Sequence, residues 1–445
     1  MRWVTIRSRF FRPSQRGAVR HRRRGLAAAL VAVALLSASV GGVEASGSPP
    51  RAAADPKVVS DWNAVAFDTI IVDAGKANAE AFMWFAFEQA AVYNAVVGIT
   101  RRYELYNWNA RGPRGASPQA AAAVAAHDVL LEYFPASQGR LDTALAASLA
   151  EIPDGHAKKQ GIRYGERAAE RLIELRVDDG RFAPITFDVP PAPGVWRPTP
   201  PAFAPFFDPW IAQMRPLLLD SPSQFRPGPP PALTSQTYTE DFNEVKEVGS
   251  ATSTVRTPEQ TATALFIAPS TFQLVSSSLR DLAARHRLDI SDSARLFAAV
   301  DMSAADAAIT SWDSKLEFGY WRPVTAIQLA DTDDNPQTLP DPGWLPLIAT
   351  PPYPDYTSGL NTLVGAVTRA LSGILELGGG RIDVNITVAG VTRHYEFATE
   401  LNRDAIDARV WSGIHFRTAD VVGIETGTQV GDWALDNYFQ PTHKR

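Results

Sequence analysis

Three cations, a hydroxyl beside a glycine, and a histidine occur in three short segments of the C-terminal half of the sequence. The segments are Lys315-Leu-Glu-Phe-Gly-Tyr-Trp-Arg322-Pro323, the pair Ser358-Gly359 after Pro351-Pro-Tyr-Pro-Asp-Tyr-Thr, and Arg409-Val-Trp-Ser-Gly-Ile-His415-Phe. Planar guanidinium groups bind oxyanion oxygens two at a time, and lysine adds a point charge. A histidine can then ligate or attack the central atom. These residue types predict a site for a tetrahedral oxyanion.

The elements that must position the first pair are predicted from its spacing. Lys315 and Arg322 are seven residues apart, close to two helical turns, so both can face one pocket. Pro323 disfavours helical geometry at Arg322 and predicts that the helix ends there. Trp312, one turn before Lys315, is expected on the same face.

The second segment predicts the start of a helix. Ser358-Gly359 precedes apolar residues at helical spacing, and Thr357 or Ser358 is a suitable cap. The run comprises Leu360, Leu363, Val364, Val367, Leu371 and Ile374. Free N–H groups and the positive end of the helix dipole attract anions. Leu360 is interpreted as a core leucine on the apolar stripe.

The third segment predicts a break between two helices. Arg409 and His415 cannot share a helix face, because six residues rotate by about 240°. Gly413 is therefore expected to end one helix so that His415 projects from a turn. The following helix has glycines at 423, 427 and 431, a spacing that permits close packing.

Taken together, the three segments resemble the motifs of the vanadium-dependent haloperoxidases and the related type 2 phosphatidic acid phosphatases. The first block of that family, Lys-x6-Arg-Pro, matches Lys315, Arg322 and Pro323, and the third, Arg-x5-His, matches Arg409 and His415. The second, Ser-Gly-His, matches only at Ser358-Gly359. Leu360 stands in place of the acid–base histidine. The motifs span residues 312–427, about a quarter of the chain.

The resemblance implies a cofactor and a set of site residues. Vanadate, or phosphate as its analogue, would be bound by Lys315, Arg322, Ser358, Gly359 and Arg409, with His415 as the ligand of the metal. His415, Lys315 and Arg409 would be catalytic. Trp312, Tyr353, Leu360 and Asn361 would line the pocket. Hydrogen peroxide, a halide and a small organic molecule would be the substrates.

Because Leu360 stands where the family has its acid–base histidine, three functions remain open. A haloperoxidase would oxidise halide at histidine-bound vanadate, impaired by a leucine that cannot transfer a proton. General acid–base help is worth roughly 10²–10⁴-fold. An acid phosphatase would use the same pocket, with His415 attacking phosphorus. A non-oxidative or inactive homologue would bind an oxyanion or an organic ligand without turnover.

The N-terminus resembles an export signal. Residues 1–24 contain nine arginines and no acid, residues 26–40 are mostly apolar, and Val43-Glu44-Ala45 resembles a cleavage site. We therefore expect a signal peptide over residues 1–45 and a secreted protein. Arg22-Arg23-Arg24 is compatible with the twin-arginine route. An uncleaved anchor is the alternative, but the run is shorter than the roughly 20 residues of a membrane span.

Composition restricts the partners. The chain of 445 residues has no cysteine, which excludes disulfides and thiolate metal sites. Its net charge is −5, and residues 46–445 have 34 basic and 47 acidic residues, a net charge of about −13. This charge disfavours nucleic acid and anionic lipid. No membrane span is expected after processing, and no oligomeric state is predicted.

The pattern along the chain predicts an all-α protein of two helical bundles, as the resemblance also implies. An N-terminal bundle is expected over 55–183 and a C-terminal bundle with the oxyanion site over 251–445. Residues 184–250 would connect them through a segment rich in proline and aromatic residues. Those aromatic residues either line a substrate channel or fasten the segment onto the bundles. A short strand is expected at 382–388.

Overall fold

The residues that the structure describes are mostly helical, with irregular connecting segments and one β-hairpin. The computed structural model describes residues 54–76, 78–268 and 271–442, so the expected signal peptide at 1–45 lies outside the described residues. The helices are α1 (Lys57–Phe67), α2 (Asn78–Thr100), α3 (Pro118–Tyr133), α4 (Gln138–Ala150), α5 (His156–Leu175), α6 (Gln236–Val248), α7 (Pro258–Ile267), α8 (Thr271–Arg285), α9 (Ile290–Phe318), α10 (Pro323–Gln328), α11 (Gly359–Leu375), α12 (Ala398–Trp411) and α13 (Arg417–Asn437). The hairpin consists of antiparallel β1 (Arg381–Val388) and β2 (Val391–Phe397).

Two groups of helices pack around the long helix α9. Helices α1 to α5 contact one another, with α2 against both α3 and α9. Helices α11 and α13 pack against each other and against α9. The prediction of an all-α fold with two helical bundles is confirmed. Because the described residues form one compact unit, the boundaries proposed at 183 and 250 remain predictions.

Helix α9 has a defined start and end. The carboxylate of Asp289 accepts hydrogen bonds from the N–H groups of Ser291 and Asp292, which satisfies free donors of the first turn. Gly319 follows the last helical residue with φ of +50°, a conformation that favours glycine. The helix therefore ends at Phe318. The expectation that it would continue to Arg322 is wrong, and Arg322 lies in extended backbone before α10.

Glycines set the distance between α11 and α13. A Cβ atom on Gly427 would lie 1.9 Å from the carbonyl oxygen of Thr362, and one on Gly423 would lie 3.0 Å from that of Ser358. The predicted close packing of this glycine row is thus observed. It places the first turn of α13 beside the first turn of α11.

The proline-rich segment is mostly irregular and is fastened to the helices by its aromatic residues. Trp196, Phe206 and Trp210 are buried, and their rings contact those of Phe187 and Phe182. The segment also reaches the site, because the indole N–H of Trp312 donates to the carbonyl of Phe207 at 3.2 Å. These contacts fit the interpretation that the aromatic residues fasten the segment onto the bundles.

No helix within the described residues is long and apolar enough to cross a membrane.

Candidate active site

Four elements bring the predicted cations and the histidine together. Lys315 lies in the last turn of α9, Arg322 immediately precedes α10, and Arg409 lies in the last turn of α12. His415 lies in the turn between α12 and α13, after Gly413 with φ of +78°. All four side chains are buried. The predicted break at Gly413 is observed, and it directs His415 toward Arg322.

The imidazole of His415 lies between an acid and a guanidinium group. Its Nδ1 atom is 2.7 Å from a carboxylate oxygen of Asp355. Its Nε2 atom is 3.0 Å from Nη1 of Arg322. Burial, and then the nearby positive charges of Arg322, Arg409 and Lys315, lower the pKa of His415 well below its ordinary value. A neutral ring has one nitrogen lone pair, which here faces Nη1 of Arg322, and a metal or phosphorus would take the place of that contact.

The two arginines retain donors that point at no acceptor. Arg322 donates from Nε to the Tyr353 carbonyl and from Nη1 to the Ile414 carbonyl, both at 2.7 Å. Its Nη2 atom is buried and has no partner among the described residues, and the same holds for Nε of Arg409. A buried donor without a partner costs about 1–3 kcal/mol. An oxyanion between the two guanidinium groups would satisfy both.

The ammonium group of Lys315 has hydrogen-bond partners other than the oxyanion that was predicted. We expected its ammonium group to bind the oxyanion, but that group donates to the carbonyls of Pro354, Asp355 and Thr357 at 2.7, 3.0 and 2.5 Å. These three bonds use all three of its protons. Burial lowers the pKa of Lys315 well below its ordinary value. In this arrangement Lys315 fixes the loop before Ser358.

The start of α11 supplies backbone donors. Ser358 occupies the cap position, but its hydroxyl makes no capping bond to the helix. The first N–H groups of a helix have no intrahelical acceptor, and the helix dipole makes this end positive. Gly359 also permits a close approach, because a Cβ there would lie 3.0 Å from the ring of Trp312.

Two buried acids complete the site, and the sequence reasoning missed both. Asp355 contacts His415, and burial raises its pKa to about 7. Asp420, in the first turn of α13, accepts a hydrogen bond from the Asn361 amide at 2.7 Å. Burial raises its pKa well above the ordinary value. Protonation of either acid removes a negative charge from beside Lys315, Arg322 and Arg409, which favours the binding of an anion.

A cavity of about 170 Å³ adjoins these groups. Its lining includes Trp312, Tyr353, Gly359, Leu360 and Arg409. Asn361, also expected in this lining, donates its amide to Asp420 and Ser358. Leu360 was expected on the apolar stripe of α11 and in the pocket lining; it packs against the core, is half-buried and borders the cavity.

Comparison with known proteins identifies the family. Residues 295–443 match the model of the VCPO second helical-bundle domain. The chain is 26% identical over 369 residues to vanadium chloroperoxidase of Curvularia inaequalis, a match covering 62% of this chain and 60% of that protein. Residues 295–443 thus match this family of helical-bundle domains, and the chain is similar to the vanadium haloperoxidases. It spans about 60% of the length of this curated relative.

Solved structures of family members share the fold. A bacterial vanadium-dependent iodoperoxidase matches with a TM-score of 0.75 and 23% identity, over 88% of this chain and 98% of that one. The holo form of a bacterial vanadium-dependent chloroperoxidase matches with a TM-score of 0.66 and 17% identity, over 86% of this chain and 97% of that one. The likeness covers both bundles.

The donor set fits the cofactor of this family. Vanadate is a tetrahedral oxyanion, and the unpartnered donors of Arg322 and Arg409 are cationic and buried. His415 lies beside Arg322 with its ring neutral at ordinary pH. Phosphate has the same geometry and would meet the same donors. The residues present are therefore suited to either oxyanion.

Proposed function

We propose that this protein is a vanadium haloperoxidase that oxidises halide with hydrogen peroxide and halogenates a small organic molecule. The observation that supports this most is the pair of unpartnered buried donors on Arg322 and Arg409 beside His415. The similarity of the chain to vanadium chloroperoxidase supports the choice of vanadate. Bound vanadate supplies a Lewis acid that activates peroxide toward halide.

Each residue of the site has a defined task in this proposal. Arg322 and Arg409 bind the oxyanion oxygens, and the Ser358 hydroxyl and Gly359 N–H add neutral donors. His415 ligates the central atom, and Asp355 at 2.7 Å from Nδ1 holds the ring in place. Lys315 adds positive charge and fixes the carbonyls of the loop. Trp312 and Tyr353 form part of the wall of the site cavity.

Leu360 favours a second candidate, a homologue that binds the oxyanion without turnover. The side chain borders the cavity at the position where the family motif has its acid–base histidine. A leucine donates no proton, so peroxide activation would lack help worth roughly 10²–10⁴-fold. Halide oxidation is then expected to be weak, while oxyanion binding remains.

Two parallel assays of the vanadate-loaded protein test the proposal. Bromide oxidation by hydrogen peroxide, measured with a halogen-accepting dye, is the expected activity. Release of phosphate from a phosphate monoester by the vanadate-free protein would instead favour the acid phosphatase of the superfamily. Vanadate binding with neither activity would favour the second candidate.

A further inference from the structure

A second cavity, lined by aliphatic side chains, lies beside the candidate active site. It has a volume of about 40 Å³ and is bordered by α7, α8, α11, β1 and α12. The polar residue in its lining is Ser278, whose hydroxyl donates to the Asn385 carbonyl at 2.7 Å. The cavity therefore offers no free polar group to a water molecule.

Helix α11 separates this apolar cavity from the site cavity. Leu360, Val364, Val367 and Leu371 follow one another at spacings of three and four, so they form one stripe, which lines the apolar cavity. Gly359 and Leu363 border the site cavity instead. Leu360 borders both. The side chain of Leu360 thus lies between the site cavity, beside Arg409 and Gly359, and the apolar cavity.

The apolar cavity is unfavourable unless something fills it. Protein interiors are close-packed, and the walls of a void lose dispersion contacts. A water molecule needs two to four polar partners, so a cavity of this kind stays dry. Its volume corresponds to about three groups the size of a water molecule, at roughly 10–15 Å³ each, which suits a few carbon atoms.

We propose that the apolar cavity binds a short hydrocarbon group of the organic substrate, whose reactive end lies in the site cavity beside Arg409. This inference rests on the proposed function, because it assumes that chemistry occurs at the oxyanion site. The occupant is uncharged within the cavity, since no lining group would compensate a charge. Leu360 is then a specificity-determining residue, which contacts both the oxyanion side and the hydrocarbon side.

A series of n-alkylphosphonates tests the connection between the two cavities. The phosphonate head stands in for the oxyanion, and the alkyl chain should pass Leu360 into the apolar cavity. Calorimetry with the unsubstituted protein should show affinity rising about fourfold per added methylene from methyl to roughly butyl. Val367→Phe fills the apolar cavity without touching the site cavity. It should remove the gain with chain length and leave methylphosphonate affinity unchanged.

Xenon binding, followed by NMR of the gas, tests the apolar cavity without the oxyanion site, because small apolar cavities bind xenon. Binding should be lost in Val367→Phe, and Ile386→Phe fills the cavity from β1 if the first variant does not fold. Phosphonates that bind with no dependence on chain length would overturn the inference. Xenon binding that is equal in both filled variants and the unsubstituted protein would also overturn it. Failure of every phosphonate and of vanadate to bind, with xenon binding still lost in Val367→Phe, would refute the proposed oxyanion function alone.

Discussion

At the scale of single residues, we propose that Leu360 limits the activity of the bound oxyanion. We expect Leu360→His to raise bromide oxidation by at least about 10²-fold, the lower end for general acid catalysis. The substitution is tolerable because Leu360 is half-buried and borders a cavity. Initial rates with saturating peroxide and vanadate measure the effect.

Leu363→His is the matched control for this prediction. Leu363 borders the same cavity but lies almost one turn further along α11, away from Gly359. It should produce no comparable gain. A folded Leu360→His protein that binds vanadate and remains as slow as the unsubstituted chain would show that the missing proton donor is not the cause.

The sequence predicted candidate residues of the site but not the bonds between them. Arg322, Arg409 and His415 were predicted from motif spacing, and the structure brings them together. Asp355 lies in the proline-rich stretch before Ser358, yet no pattern indicated that it contacts His415. Its contact is with a residue distant in sequence, and local periodicity contains no information on such contacts. The three carbonyls that bind Lys315 were unpredictable for the same reason.

At the scale of elements, the packing of α13 on α11 positions the oxyanion site. Gly427→Ala would place a methyl group 1.9 Å from the Thr362 carbonyl, so the helices must separate. We expect a loss of at least about 2 kcal/mol in the free energy of unfolding, since overpacking of a tight contact is costly. Denaturant unfolding measures it.

Gly139→Ala is the control for Gly427→Ala. It lies in α4, where a Cβ atom would meet nothing within 4 Å. Alanine there should change stability by less than about 1 kcal/mol. Equal effects of the two substitutions would mean that close packing of the glycine row does not hold α11 and α13 together.

Elements with strong local signals were predicted from the sequence. The break at Gly413 and the start of α11 at Ser358-Gly359 lie where the sequence placed them. The apolar stripe of α11 was predicted too, but periodicity does not reveal whether a facing space is filled. Leu360 was predicted both as a core leucine and as pocket lining, and it borders two cavities.

At the scale of the whole molecule, a buried acid makes stability depend on pH. Both carboxylate oxygens of Asp301 in α9 lack partners among the described residues, and burial raises its pKa to about 8. The folded protein keeps this proton up to about pH 8, whereas the unfolded chain releases it at the ordinary pKa of a carboxyl group. The stability that the proton contributes is therefore complete below the ordinary pKa and is lost as pH rises through about 8. The free energy of unfolding of Asp301→Asn should therefore rise, relative to that of the unsubstituted chain, as pH increases from about 5.5 to 8.5.

Asp306 is the comparison, five residues further along α9. Its oxygens accept the backbone N–H groups of Leu217, Leu218 and Leu219 at 2.7, 2.7 and 2.9 Å. Burial raises its pKa only to about 6, so the relative stability of Asp306→Asn should change less with pH than that of Asp301→Asn. Because an acceptor is replaced by a donor, Asp306→Asn should cost about 1–3 kcal/mol at about pH 8.5. Parallel denaturant curves at each pH compare the variants. A relative stability of Asp301→Asn that does not change with pH would contradict the assignment.

We also propose that the protein is exported and cleaved near Ala45. The nine arginines of residues 1–24 and the apolar run after them support this. Mass spectrometry of protein recovered from culture medium should find a chain that begins near residue 46. An intracellular protein that retains Met1 would refute the proposal.

Vanadate titration by calorimetry tests the central claim, that Arg322, Arg409 and His415 form one oxyanion site. The unsubstituted protein should bind one vanadate per chain in competition with phosphate. Arg409→Ala should weaken binding by ~1.5–3 kcal/mol, the scale of a hydrogen bond from a charged group. Arg417→Ala is the control, because that guanidinium is already paired with Glu244 and Asp407. Affinity that is unchanged in Arg409→Ala, or absent from the unsubstituted protein, would contradict the account.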